Sequence, residues 1–356
     1  MMSDWQSIYR GKRVLVTGDT GFKGSWLCLW LLSLGATVKG YSLAPKTDED
    51  HFKLLKLGDH IQHVDGDVRD LAAMRRCFDD FKPEIVIHLA AQALVRASYD
   101  DPKYTFDVNV SGGTNLLEAV RHCPSIRSVV FITSDKAYLN QEWVWGYRES
   151  DTLGGHDPYS ASKAAAELVF SAYVDSFFKK QRPDLGIATA RAGNVIGGGD
   201  WAANRIIPDC IRSLRANQPI TLRFPASTRP WQHVLEPLSG YLLLGARLYE
   251  TPSKFGGAWN FGPSTSAVYS VQNLTEQVVK NWGSGSVVCK PDPNQPHEAG
   301  LLQLNCDKAH AHLHWRPRWN FERTVVETVD WYRQFVSGTD IFQFGQQQIN
   351  RYTATT

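Results

Sequence analysis

The chain has 356 residues, 43% of them hydrophobic, and a formal net charge of +2. That length allows a full core and more than one domain, while near-neutral charge without a basic run gives no electrostatic case for nucleic acid or a membrane. The opening "MMSDWQSIYRGKR" lacks a signal-peptide pattern, "SWLCLWLLSLG" is too short to span a bilayer, and six scattered cysteines without CxxC spacing read as buried free thiols in a reducing cytoplasm, with no metal site.

The first half alternates short apolar runs with helical patterns, as a parallel sheet covered on both faces requires. "RVLVTG" reads as the first strand, and "VTGDTGFKG" follows it with Gly18, Gly21, Phe22 and Gly24 at the start of an apolar helix. Glycines there permit a tight turn and let backbone N–H groups approach a pyrophosphate, which the helix N-terminus also attracts. The spacing is GxxGxxG, one residue wider than the standard dinucleotide fingerprint. The second strand, "TVKGYSL", ends on Tyr41, Ser42 and Leu43 with no acid for the adenosine ribose and only Lys46 nearby, which leaves NAD and NADP both open at this point. After the third strand, "IQHVDGDV", Asp67 and Val68 sit where an adenine ring is bounded; Asp67 or Asp70 also suits the cap of the next helix. "EIVIHLA" is the fourth strand, and Leu89, Ala90 and Ala91 let the nicotinamide half lie against the backbone. His88 reads as a core histidine. Arg96, just beyond, either reaches sugar hydroxyls or is an ordinary exposed residue.

The fifth strand, "SVVFITS", delivers Ser134, Asp135 and Lys136 to the ligand edge of the sheet. The last two are either a turn-closing ion pair or an acid and a base aimed at a substrate. One helix later, "DPYSASKAAAEL" puts Tyr159 and Lys163 four residues apart on one helix face. A tyrosine acting as a base near neutrality needs its pKa lowered by roughly three units, about 4 kcal/mol. Lys163 and a cationic nicotinamide are expected to supply this. Ser134 then hydrogen-bonds the alcohol that Tyr159 deprotonates while hydride leaves its carbon.

After the sixth strand, "GIATARA", the rhythm breaks into Gly-, Pro-, Trp- and Arg-rich segments, interrupted by the helix pattern "EPLSGYLLLGARLYE" and the strand "AWNFG". Asn194 suits a phosphate or sugar contact; Arg205 and Arg229 suit diphosphate clamping, since a guanidinium matches phosphate oxygens bidentately. The amphipathic "FERTVVETVDWYRQFV" precedes a polar tail from about Ser337. The expected fold is α/β, a Rossmann-type doubly wound parallel sheet with a smaller mixed α/β C-terminal substrate domain. Residues 1–193 are expected to form the dinucleotide-binding domain, with 232–263 returning to it, and 194–231 and 264–356 the substrate-binding domain and tail.

The strings "VTGDTGFKGSWL", "TSDKAY" and "EWVWGYRESDTLGGHDPYSASKAAAEL" together resemble the extended short-chain dehydrogenases/reductases that modify nucleotide sugars, from about Gly11 to about Val336. "SDKAY" with the Trp143–Trp145 string narrows the resemblance to the 4,6-dehydratases of that group. It implies NAD as cofactor, CDP-glucose as substrate, and a lyase reaction in which oxidation at C4, elimination across C5 and C6, and reduction at C6 return the cofactor unchanged. By the resemblance Asp135 is the acid at the C6 oxygen, and Lys136 stands where relatives carry a glutamate and takes the C5 proton. Relatives often carry an arginine near "PHEAGLLQL", where this chain has Leu301 and Leu302 after His297 and Glu298. The resemblance further implies a cytoplasmic homodimer through a helix bundle, or a tetramer, and deoxysugar supply for a bacterial surface polysaccharide such as O-antigen. Another nucleotide-sugar 4,6-dehydratase, a 4-epimerase and a catalytically silent NAD(P)-binding sensor are the alternatives. Asp135 and Lys136 speak against the epimerase, and intact Tyr159, Lys163 and Asp135 against the sensor.

Overall fold

The computed structural model describes residues 4–264, 268–290 and 301–355. Seven strands build its central sheet: β1 (Arg13–Thr17), β2 (Thr37–Ser42), β3 (Gln62–Asp65), β4 (Ile85–His88), β5 (Ser128–Ile132), β6 (Gly186–Ala192) and β7 (Gly257–Phe261). They lie in the order β7-β6-β5-β4-β1-β2-β3, every neighbouring pair parallel. A sheet buried on both faces needs apolar residues at successive positions rather than alternate ones, and the strands oblige. Val14, Val16, Ile85, Ile87 and Val130 enter one core, while Leu15, Val86, Val129 and Phe131 enter the other.

The helices that position the site are α1 (Phe22–Ser33), α2 (Leu71–Phe81), α3 (Gly112–Arg121), α4 (Pro158–Tyr173), α5 (Ile206–Arg215), α6 (Leu235–Glu250), α7 (Val271–Trp282), α8 (Phe321–Val336) and α9 (Ile341–Ala354). Side chains of α1 and α6 fill the first core; those of α2, α3 and α4 fill the second. Helix α1 is buried from Gly24 through Leu31, as a helix apolar all round must be. Its outer side is covered by α9, where a Cβ at Gly345 would stand 2.7 Å from Leu29 Cδ2. The segment expected as a polar tail is thus a packed helix. Its glutamines mask the helical spacing of Ile341, Phe344, Ile349 and Tyr352, all buried, and Gln348 is itself spent inside, donating to the Glu327 backbone and carboxylate.

Register aligns the ligand edge. Thr17 pairs with Tyr41 and His88, His88 with Phe131, and Ile132 with Ala190. The segments beginning at Gly18, Leu89, Thr133 and Gly193 therefore leave the sheet side by side, at the carboxyl ends where open α/β sheets hold ligands. No helix among the described residues is long and apolar enough to cross a membrane.

Candidate active site

A crevice of about 1160 Å³ opens at that edge. On its cofactor side, Gly18 adopts φ +77°, and a Cβ there would come within 2.7 Å of the Ala90 amide nitrogen. A Cβ at Gly24 would meet the Gly18 carbonyl oxygen at 2.0 Å. The β1 and β4 loops and the first turn of α1 thus approach too closely for any side chain, a bare-backbone cradle suited to a diphosphate at a helix N-terminus. Gly21, Phe22, Leu89, Ala90 and Ala91 line the same wall, with Asp67 and Val68 farther along it. The Asp67 carboxylate is gripped by Arg69, with Nη2 to Oδ2 at 2.6 Å, and this pairing holds it below the usual carboxylate range. Its remaining lone pairs are what an adenine amino group would use. Asp70, not Asp67, caps α2 by accepting from Ala73 N–H.

An acid does stand against the end of β2, but the glycine loop supplies it. Buried Asp19 accepts from Ser42 Oγ at 2.8 Å and pairs with His63 Nδ1 at 2.7 Å. Gly40 is required beside it, since a Cβ there would fall 1.9 Å from Asp19 Oδ2. Asp19 is fully buried and is not part of the crevice lining, so it braces the glycine loop against β2 and β3.

On the reacting side, Asp135 opens a single 3-10 turn over Asp135–Ala137, capped by Ser134. Ser134 Oγ donates to Asp135 Oδ1 at 3.0 Å and accepts from Lys136 N–H at 3.2 Å. Helix α4 starts at Pro158, with Asp157 accepting from Ser160 N–H as its cap. That start sets Tyr159 and Lys163 one turn apart on the crevice wall, which Ser134 lines as well. The Tyr159 N–H donates to Ser98 Oγ at 3.2 Å, tying α4 to the short helix Val95–Asp100 that follows β4. One turn on, Glu167 accepts a bidentate grip from Arg191 of β6 (2.7 and 2.9 Å) and hydrogen bonds from Thr133 and Thr189. This buried knot locks α4 to β5 and β6, and no short-range motif announces it. Gly193 leaves room for the acid: a Cβ there would lie 2.5 Å from Asp135 Oδ2.

Burial raises the Asp135 pKa, against the pull of Lys136, Ser134 and Lys23, which favours a carboxyl that carries a proton. Burial and then Lys23 push Lys163 down to about 8. Tyr159 runs opposite to the expected direction: burial pushes it up to about 12, and Ser134 and Arg205 only partly offset this. His88, expected in the core, is 3% exposed and shares a 2.6 Å hydrogen bond with Thr17.

Across the crevice, Arg96, Lys136, Asn194, Arg205 and Arg229 all line the wall. Arg205 precedes α5 and is anchored on Asp200 at 3.0 Å. Asn194 gives its carbonyl to Gln232 N–H, and the Arg229 guanidinium rests on the Thr228 carbonyl at 2.7 Å. Leu302 lines the crevice, while His297 and Glu298 lie outside the described residues. In the tryptophan string Trp143 stacks on Tyr147 and Tyr147 on Tyr138, each at 5.1 Å, and Tyr138 lines the crevice. Every residue singled out for chemistry from the sequence thus faces one space. Lys23, Asp200 and Gly193 join them without having been anticipated.

A profile of the GDP-mannose 4,6-dehydratase family matches residues 15–328. The chain is 48% identical over 354 residues to CDP-glucose 4,6-dehydratase of Salmonella typhimurium, covering 99% of each chain. It is 26% identical to dTDP-D-glucose 4,6-dehydratase of Bos taurus, covering 91% of this chain and 89% of that one. Among solved structures, UDP-glucose 4-epimerase of Thermus thermophilus in complex with NAD superposes with a TM-score of 0.75 at 29% identity, covering 90% of this chain and 99% of that one.

Proposed function

This chain belongs to the GDP-mannose 4,6-dehydratase family, and from that premise we propose that it converts CDP-glucose to CDP-4-keto-6-deoxyglucose and water. The observation that carries the substrate is the end-to-end likeness to the Salmonella enzyme. The reaction is an NAD-dependent 4,6-dehydration. NAD, held by the backbone cradle at Gly18, Gly21 and Gly24, would supply a hydride acceptor and donor, so that oxidation at C4 and reduction at C6 leave no net redox change.

The chain's own groups do the proton work. Tyr159 takes the proton of the C4 hydroxyl, which Ser134 holds by a hydrogen bond, and Lys163 steadies the phenolate. The resulting ketone acidifies C5–H, and Lys136 removes that proton. Asp135, whose pKa burial raises, gives its proton to the C6 oxygen as water leaves. Arg205 and Arg229 hold the substrate diphosphate, and Asn194 and Arg96 contact the diphosphate and sugar.

In this reading residues 1–193 with 232–263 form the cofactor unit, supported by β7 joining the central sheet, and 194–231 with 264–356 serve the nucleotide sugar. The apolar side chains left exposed around α4, Tyr99, Phe106 and Leu168, support a homodimer through these helices. A cytoplasmic location and a role in supplying deoxysugar for a surface polysaccharide such as O-antigen accord with the substrate class.

CDP-glucose carrying deuterium at C4 tests the reaction. The expected product is a 4-keto-6-deoxy sugar nucleotide with the label at C6 and no lasting NADH absorbance. A galactose-configured product with label at C4 would mean an epimerase. Turnover of dTDP-glucose in preference to CDP-glucose would overturn the substrate assignment.

A further inference from the structure

Lys23 occupies the first turn of α1, between Gly21 and Gly24, and lines the crevice. Side chains on a helix lean toward its N-terminus, so this amine is carried toward the cradle that Gly18 and Gly24 keep bare. The core has no use for it there: the eight residues that follow, Gly24 through Leu31, are all buried. Among the described residues Lys23 makes no hydrogen bond and no ion pair. The two carboxylates whose field reaches it are already engaged. Asp200 is held by Arg205 at 3.0 Å, and Asp135 accepts from Ser134. Its field reaches Lys163, and that of Arg205 reaches it. A half-buried ammonium set among cations, without a counter-ion at contact distance, is unfavourable unless a ligand supplies the anion. Burial, with Arg205 adding, pushes its pKa down to about 8, against the pull of Asp135 and Asp200.

We propose that Lys23 binds the phosphate on the nicotinamide side of the NAD diphosphate. The proposal rests on the NAD-dependent reading given above. Two observations select this phosphate. The backbone cradle at the start of α1 is where a dinucleotide diphosphate docks. Within that diphosphate, Lys23 lies at the end electrostatically joined to Asp135 and Lys163, the reacting end, and not at the Asp67–Val68 end that bounds adenine. The phosphate does not change between the two redox states of the cofactor, so Lys23 holds both alike. That suits an enzyme that must retain its cofactor through oxidation and reduction.

The test is titration of cofactor-stripped wild-type, Lys23→Met and Lys23→Arg proteins with NAD+, NADH, ADP-ribose, AMP and CDP, followed by calorimetry. Loss of one charge-assisted hydrogen bond corresponds to roughly ten- to hundredfold in affinity. Lys23→Met is expected to weaken NAD+, NADH and ADP-ribose by that common factor, and to leave AMP and CDP unchanged, since neither carries the nicotinamide-side phosphate. Lys23→Arg is expected to restore most of the loss, which a packing defect would not permit. CDP weakened with ADP-ribose intact would assign Lys23 to the sugar nucleotide and overturn the proposal, as would affinities unchanged throughout. Should Lys23→Met fail to fold, Lys23→Arg and the salt dependence of ADP-ribose binding decide: a salt slope no steeper than that of AMP overturns it. Wild-type protein that fails to bind NAD+ at all would instead refute the NAD-dependent reading itself.

Discussion

Gly193→Ala separates the elimination from the oxidation. The glycine follows β6, and an alanine Cβ there would stand 2.5 Å from Asp135 Oδ2 and 3.2 Å from its Cγ. Ordinary contact begins near 3.4 Å, so the carboxyl has to retreat by about 0.9 Å. It has little room to do so. Asp135 is 5% exposed, and its Oδ1 is bound by Ser134 Oγ at 3.0 Å. A displacement of about 1 Å in a reacting group costs on the order of a hundredfold in rate. The backbone itself tolerates alanine, because Gly193 does not occupy the left-handed region. The three atoms nearest the new Cβ all belong to Asp135, so the perturbation acts first on that carboxyl.

Stopped-flow absorbance at the reduced-nicotinamide band, with rapid quench for the 4-keto-6-deoxy product, resolves the two half-reactions. Oxidation at C4 is expected to persist in Gly193→Ala, while elimination slows about a hundredfold and bound NADH accumulates. A substrate with fluorine in place of the C6 hydroxyl provides the control. Fluoride depends less on a proton to leave, so the variant should recover much of its rate with that analogue. Elimination at the wild-type rate with CDP-glucose, or an equal defect with both substrates, would refute Asp135 as the acid at C6.

Glu167→Gln removes one partner of a pair in which both side chains are 3% exposed, leaving Arg191 an uncompensated buried charge. It is expected to destabilise the fold by about 3–5 kcal/mol, and a shift below about 1 kcal/mol in denaturant unfolding would show that the knot is not a stabilising tie. Glu236, buried beneath α9, accepts from Tyr352 Oη at 2.6 Å and from Arg318 and Trp319 N–H, yet burial raises its pKa to about 7. Because the folded-state value lies above the unfolded one, folding takes up a proton between them. Its favourable contribution is complete below the unfolded pKa and lost as pH rises through 7. The melting temperature of Glu236→Gln relative to wild type should therefore climb between pH 5 and pH 8, and a difference constant across that range would contradict the assignment.

The ligand edge was legible because a doubly covered parallel sheet writes itself as apolar runs, and each run ends where the chain must turn toward ligand. Gly18, Leu89, Ser134 and Asn194 could be placed from those run ends alone, and register then sets them side by side. Pairings between distant segments leave no such trace. The grip of Asp19 on Ser42 and His63, and that of Glu167 on Arg191, join residues whose neighbours in the chain give no hint of each other. Helix α9 was hidden for another reason: polar letters conceal a buried face when a glutamine such as Gln348 finds its partners inside. Charge state is the furthest from the letters. The YxxxK spacing correctly puts Tyr159 and Lys163 on one wall, and it invites the conclusion that the lysine lowers the tyrosine. Burial acts on both groups first, lifting Tyr159 to about 12 and dropping Lys163 to about 8. A lysine at that value is only partly able to hold a phenolate through a pH range where the tyrosine is still a phenol. A positive charge brought by what fills the crevice would act on Tyr159 in the direction opposite to burial, and the sequence spacing carries no trace of that balance.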